Sequence, residues 1–494
     1  MTSPRSDAPR AATERPLIKR VFLDALVCLR RGWLLHNPEG DRRPPGPGDQ
    51  FQFAQGHAVG DRARELFGPG VDLRGPATAE WMAEGRRVVD DAQTRVAYEV
   101  PLAAGHAVAR PDVLVREAGG WRVIEVKSGK SEKTEYIDDL AYTVAVTRAA
   151  ELPVVGAELA LVNAEWRLGG DQPALVRLDV TEDVLARSEE FLPLLEAVHG
   201  IVTAAEAPAA ELKSACRKCE FRGARCFVDG PRHPVFELPN IRSRRVDEWI
   251  AGGITRIREL PETEKLTAVQ QLHRRAVVSN ALVTDAGALA RLAEIEEPAG
   301  YLDFETLSLA LPPFPGVAPF DVLPIQYSLH RRTAEGDTAH RELLVDPAAP
   351  DVEEFARDLL DALAGVRSIV VYSSFEKQRL QWLAQRLPAL ASGLEAAAGR
   401  LFDLLPVVQA AVAHPEFHGS LSIKRVLPVL VPELTYAGLE IGDGENATGV
   451  AGLRALGRLG DEEWARVRPQ LLAYCKLDTF AMVRLHEALR ALPR

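Results

Sequence analysis

The sequence predicts an α/β protein made of two layered domains with a helical connector between them. Three observations carry that prediction. Residues 110–129 alternate as a β-hairpin does, and a helical run and a buried apolar strand follow. The second half repeats strands followed by helices, with acidic residues at a strand start, at a strand end and late in the last helix. Residues 231–298 are polar and helix-rich, with Gly252 and Gly253 inside, and carry no evident chemistry. A chain of 494 residues has room for roughly three domains of ~150 residues. The expected layout is a disordered tail over 1–16, a first domain over 17–230, a connector over 231–298 and a second domain over 299–494.

In the hairpin, 113–116 form one strand, Ala118, Gly119 and Gly120 turn, and 121–126 form the second. Asp112 stands at the mouth of the first strand, and Glu125 and Lys127 end the second. Side chains alternate along a strand, so Glu125 and Lys127 share a face and Val126 is expected to point into the core. Two carboxylates meeting there suit Mg²⁺ or Mn²⁺, both of which favour oxygen ligands. A lysine beside them can orient water or stabilise charge on a phosphate. An ordinary hairpin with a surface Glu/Lys pair has the same local sequence, so the neighbouring segments must decide.

Upstream, 1–16 lack an apolar signal core. Residues 17–35 read as an amphipathic helix containing Cys28, and 40–48 as a Pro/Gly-rich loop. Residues 53–67 read as a helix with Gly56 and His57 near its start; imidazole can join carboxylates around Mn²⁺. Downstream, 136–150 read as a helix and 154–163 as a buried strand, and Thr181 is expected to cap a helix reaching to about 204.

Cys216, Cys219 and Cys226 then occur within eleven residues. Such spacing in a reducing compartment points to ligation, and Cys28 is the candidate fourth thiolate. Four cysteines suit zinc or a [4Fe–4S] cluster alike. Zinc ribbons usually pair two CxxC knuckles, so one CxxC with two single cysteines favours iron–sulfur. Residues 213–245 carry nine Lys/Arg against three Asp/Glu. Lys213, Arg217, Lys218, Arg222 and Arg225 are the candidate contacts to a phosphate backbone; a solvated face is the competing explanation.

The net charge of −11 excludes a bulk polybasic protein but not a nuclease, whose site must be acidic. No apolar run approaches the ~20 residues that span a bilayer, so no membrane contact and a cytoplasmic location are expected.

These motifs together, over the first 230 residues or so, resemble the RecB-type branch of the PD-(D/E)XK nucleases, in particular the CRISPR-associated iron–sulfur exonucleases. The order matches: Cys28 on a helix, Gly56 and His57, then Asp112, Glu125 and Lys127, then a helix and the three-cysteine cluster. The resemblance implies that His57, Asp112 and Glu125 bind Mn²⁺ or Mg²⁺ and that Lys127 assists hydrolysis. It also implies that the cysteines hold a structural [4Fe–4S] clamp and that the substrate is single-stranded DNA, entered from an end. In the following helix the family pattern is a Gln and, four residues later, a Tyr; Tyr142 is present, but Asp138 stands in the Gln position.

In the second half, 299–306 form a strand carrying Asp303 and Glu305 on one face. Strands are expected at 323–330 and 343–346, a helix at 351–363, and a buried strand at 368–373 running into Phe375 and Glu376 and a long helix. Asp403 is expected to start a helical stretch, and 414–427 supply two histidines and Lys424. The last helix, from about 462 to 492, carries Tyr474 and Asp478 one turn apart. These acids are expected to converge on a pair of metal ions, with the tyrosine placing water. This half resembles the DEDD exonucleases of the ribonuclease H-like fold, Tyr subtype: Asp303 and Glu305 match the DxE motif, and Tyr474 and Asp478 match the motif of a Tyr, three residues and an Asp. Glu376 stands where the family has Asp. Cys475 is expected to be a buried structural thiol. Similar layouts occur among two-domain bacterial proteins in which such a domain follows a RecB-type one.

The function expected from the sequence is therefore a metal-dependent phosphodiesterase. It would be a DNA exonuclease with two nuclease-like sites, used in repair, defence or CRISPR-type processing, with RNA not excluded as substrate. The alternative is a nucleic-acid-binding or scaffolding protein in which one or both sites are inactive. The sequence names no protein partner.

Overall fold

The computed structural model describes residues 15–38, 44–75 and 79–493. The tail expected over 1–16 therefore falls largely outside the described residues; of the loop expected over 40–48, residues 44–48 are described, and Pro47 and Gly48 already belong to the helix Pro47–Phe67. The chain divides into two compact units: one runs to Pro44 and resumes over Gln55–Glu211, and the other comprises Pro45–Ala54 and Leu212–Arg494. The division at Glu211 precedes the expected boundary near 230.

The first unit is built on a six-stranded sheet whose order follows the chain: Val71–Asp72, Val96–Tyr98, Val113–Glu117, Gly120–Lys127, Val154–Val162 and Leu175–Asp179. The expected hairpin is its centre, paired antiparallel from Val113 with Ile124 to Glu117 with Gly120, and Gly119 takes the positive φ the turn needs. The helix Thr134–Ala149 links Gly120–Lys127 to its parallel neighbour Val154–Val162. Leu140 to Thr147 on that helix are all buried, which fits a crossover helix pressed on a sheet.

The sequence expectation of one helix over 17–35 fails at Cys28. There the backbone is extended (φ −155°, ψ 113°), and two helices, Lys19–Val27 and Leu29–His36, meet at that break. Gly32 permits their close approach: a Cβ there would lie 2.4 Å from the Ala25 Cβ. Thr181 does not act as an N-cap. Its hydroxyl accepts from the Ala157 amide at 3.0 Å, and the helix it begins stops at Phe191; a second runs over Leu194–Val202 after Pro193.

The second unit holds a five-stranded sheet in the order Thr338–Leu344, Val322–Arg332, Ala299–Ser308, Ser368–Val371, Leu401–Asp403. The first three strands pair antiparallel and the last two run parallel to Ala299–Ser308 and to each other. One apolar layer, including Leu302, Phe304, Phe355 and Leu380, packs one set of helices; a second, including Tyr301, Val370, Met482 and Leu485, receives the end of the long helix Asp461–Ala491. Residues 45–54 group with this unit because Gly449 and Gly452 let Pro47 and the Phe51 ring approach their backbone. Asp403 ends a strand rather than starting a helix, and its carboxylate accepts from the Leu405 amide at 3.0 Å. The connector has its own small core, in which Val235, Phe236, Val246 and Trp249 pack with Cys216. Among the described residues no helix is long and apolar enough to cross a membrane.

Candidate active sites

On the strand Gly120–Lys127, Trp121 and Val123 enter the apolar core, and Glu125, on the same face, follows them into burial at 4 % exposure. Burial alone would push its pKa up. The Lys19 ammonium at 2.7 Å and that of Lys127 at 3.0 Å outweigh burial and hold it down to about 2. Both lysines contact Oε1; the other oxygen, Oε2, is buried without a hydrogen-bond partner among the described residues. Lys127 also pairs with Asp139 from the crossover helix, and the two acids outweigh burial and raise its pKa. Lys127 is therefore a fixed cation, able to stabilise negative charge but not to accept a proton.

Asp112 lies across from this pair, its Oδ2 accepting from the Val126 amide at 2.7 Å. Burial and the neighbouring Glu125 charge push it up to about 7. Val126 does not point into the core as expected. With Gly56, Tyr98, Glu99, Asp112 and Lys127 it lines a cavity of ≈ 180 Å³. Glu99 holds a left-handed φ of 54° and pairs with Arg110 at 2.8 Å. Backbone strain of this kind gathers at functional sites. His57 is exposed on Pro47–Phe67 and is not part of the cavity wall, which its neighbour Gly56 forms.

The crossover helix contributes differently from the family pattern. Tyr142 is fully buried, and its hydroxyl donates to the backbone carbonyls of Leu17 and Val108. Asp138 is drawn off to Arg187 at 2.7 Å. Its neighbour Asp139 reaches the site. Sequence reasoning missed Lys19, Glu99 and Asp139, each brought in by tertiary packing; Asp139 stands in the second turn of the helix Thr134–Ala149, 12 residues from Lys127.

In the second unit Asp303 and Glu305 rise from one face of their strand, and a ligand atom from each lies within 4.8 Å of the other and of the Cys475 sulfur. Burial and the charges of Asp478, Glu305 and Glu376 push Asp303 well up. Burial and Asp478 push Glu305 up to about 8; burial raises Glu376 to about 7 and also raises Asp478. Lys424 opposes this at Glu305 and Asp478, and donates to the Tyr474 hydroxyl at 2.7 Å. Tyr436, which sequence reasoning missed, donates to Asp478 Oδ1 at 2.6 Å. Ser373 donates to Glu376 Oε2 at 3.3 Å. Cys475 is fully buried, and burial beside these acids keeps its thiol protonated.

The cysteines fall in both units: Cys28 sits at the helix break of the first, and Cys216, Cys219 and Cys226 in a curled loop of the second. None of the four belongs to the close ligand clusters found among the described residues. Of the basic candidates, Arg217 donates to the Phe236 and Ile241 carbonyls. Arg222 and Arg225 lie over the Phe236 and Phe221 rings, Lys213 is half-buried and Lys218 is exposed.

In the first unit a mixed sheet brings Asp112, at the mouth of one strand, beside Glu125 and Lys127 of its neighbour, and Glu125 Oε2 is buried there without a partner among the described residues, a donor set that suits a divalent metal. The comparison agrees: residues 58–226 carry a PD-(D/E)XK nuclease superfamily domain, and 300–422 match a domain of unknown function (DUF2779). The chain is similar to two mycoplasma proteins. "Uncharacterized protein MG366 homolog" of Mycoplasma pneumoniae is 28% identical over 39% of this chain and 32% of its own length. "Uncharacterized protein MG366" of Mycoplasma genitalium is 30% identical over 37% of this chain and 31% of its own. The chain thus spans about a third of the length of these curated relatives.

Two outcomes follow from the electrostatics. A dication held by Asp112 would require that carboxyl to lose its proton, so Mn²⁺ affinity is expected to fall as pH drops through about 7. Calorimetric titration in buffers of differing ionisation enthalpy reads the released proton, and Asp112→Asn removes it. In the second unit the acids have folded-state pKa values above their unfolded ones. The folded state then binds more protons between about 4 and about 8, so stability of metal-free protein falls as pH rises across that window. Melting temperatures measured at both ends should show this, with Mg²⁺ or Mn²⁺ raising the melting temperature most at the alkaline end.

Proposed function

We propose that the protein is a metal-dependent nuclease that trims nucleic-acid ends, single-stranded DNA foremost, in repair, defence or CRISPR-type processing. The observation that carries this reading is the convergence of Asp112, Glu125 and Lys127, with Glu125 Oε2 buried and unpartnered among the described residues. Asp112 and Glu125 would hold Mg²⁺ or Mn²⁺, with His57 the further candidate ligand. The ion supplies Lewis-acid activation of water and neutralises charge at the scissile phosphate. Lys19 keeps Glu125 ionised, and Lys127, locked as a cation by Glu125 and Asp139, would stabilise charge on the phosphate oxygens.

The second site is proposed as a DEDD-type centre in a ribonuclease H-like domain. Supporting this are the third-second-first-fourth-fifth strand order and the cluster of Asp303, Glu305, Glu376 and Asp478 beside Tyr474. The assay is digestion of end-labelled single strands with Mn²⁺. Lys127→Ala is expected to lose at least a hundredfold in one polarity of digestion and Asp303→Ala in the other, as expected for loss of a preorganised electrostatic group. A wild type that binds strands without cutting them would establish the scaffolding alternative instead.

Cys216, Cys219 and Cys226 are proposed as ligands of a [4Fe–4S] cluster, with zinc the alternative. Support comes from the residue types and from the loop, where the Cys219 and Arg222 amides donate to the Cys216 and Cys219 carbonyls. Protein purified without oxygen should be brown and lose its broad visible absorbance with Cys216→Ala; colourless, zinc-containing protein would decide for zinc.

A further inference from the structure

Away from both carboxylate sites, two distant loops of the second unit bring two imidazoles onto one buried carboxylate. We propose that His233, Glu237 and His418 form a binding site for a zinc-class dication. His233 Nδ1 lies 3.3 Å from Glu237 Oε2, and His418 Nδ1 lies 3.3 Å from each Glu237 oxygen. These separations exceed the ~2.7–2.9 Å of a charge-assisted hydrogen bond. They match the ligand–ligand edge of about 3.3–3.4 Å that follows from tetrahedral zinc with bonds of about 2.0–2.1 Å. The remaining cation near Glu237, Arg222, is 3.5 Å from Oε1.

The surrounding backbone is built to hold this approach. His233 and His418 both adopt left-handed φ angles, 50° and 48°, which non-glycine residues seldom take outside constrained sites. Gly419 follows at φ 74°, and a Cβ there would fall 1.6 Å from the Glu237 carbonyl oxygen, so no other residue allows the loops so close. His233 is 5 % and Glu237 8 % exposed, and the second nitrogen of the His233 ring is buried without a partner among the described residues. The ring is thus held at the carboxylate through Nδ1 alone. Two imidazoles with one carboxylate select zinc over magnesium. All three residues line a cavity of ≈ 430 Å³, from which water or an anion completes the shell; Arg222, Arg232 and Arg425 in its wall favour an anion. His233 and Glu237 lie outside both matched family segments, and the inference stands apart from the nuclease reading.

The test uses the full chain, stripped with a chelator and reloaded with Zn²⁺ or Co²⁺. Wild type should retain about one more equivalent of zinc than His418→Ala or Glu237→Gln. Zinc affinity at this site should fall at least tenfold in either variant. The wild-type-minus-variant Co²⁺ spectrum should show visible d–d bands without a thiolate charge-transfer band, which separates this site from the cysteines. His418 is exposed, so its removal leaves the core intact, and Glu237→Gln keeps the side-chain volume. Equal metal content in wild type and both variants, or a difference spectrum with thiolate character, would overturn the proposal.

Discussion

A carboxylate taken out of water needs a cation, a proton or a set of donors, because its ionised form is costly in a low-dielectric interior. Both candidate active sites are shaped by that requirement, and they meet it differently. In the first unit two lysines converge on one oxygen of Glu125 and keep it ionised. The adjacent Asp112 then bears the cost and sits near neutrality in its titration. One acid permanently charged and one poised to titrate is a division of roles that environment alone can impose on two carboxyl groups.

In the second unit the same cost falls on four acids with a single named lysine to offset it, and protonation is pushed upward across the group. Tyr436 and Tyr474 add hydroxyls around Asp478 without adding charge. Such a group favours protons over full charge in the metal-free fold, so a bound dication would stabilise both its charged state and the fold.

The two residues that depart from the patterns of the resembled families have definite local partners. Glutamate at 376 is one methylene longer than aspartate, yet its charge acts on Asp303, and Ser373 fixes one of its oxygens. Asp138 does not reach the first site, because a helix turns about 100° per residue. Asp139, one position on, points where Asp138 does not and binds Lys127. The cysteine loop likewise shares a core with the connector, through Cys216, Phe236 and Trp249.

The sequence by itself determined the elements whose signal is local. Alternation between 121 and 127 placed Trp121, Val123, Glu125 and Lys127 on one face, and the same period paired Asp303 with Glu305. Glycines set the hairpin turn, and the one-turn spacing of Tyr474 and Asp478 put both on the face that meets the acids. Only the tertiary structure decided what those residues face. Lys19 lies 106 residues from Glu125, and Tyr436 42 residues from Asp478, so no short-range pattern contains them. The break at Cys28, the shift of Val126 from core to cavity wall and the redirection of Asp138 depend on helix packing and on ion pairs formed across the unit. The hairpin's chemistry was legible because a strand writes its own geometry; the charge state of that chemistry was not, because it is set by neighbours that only the fold supplies.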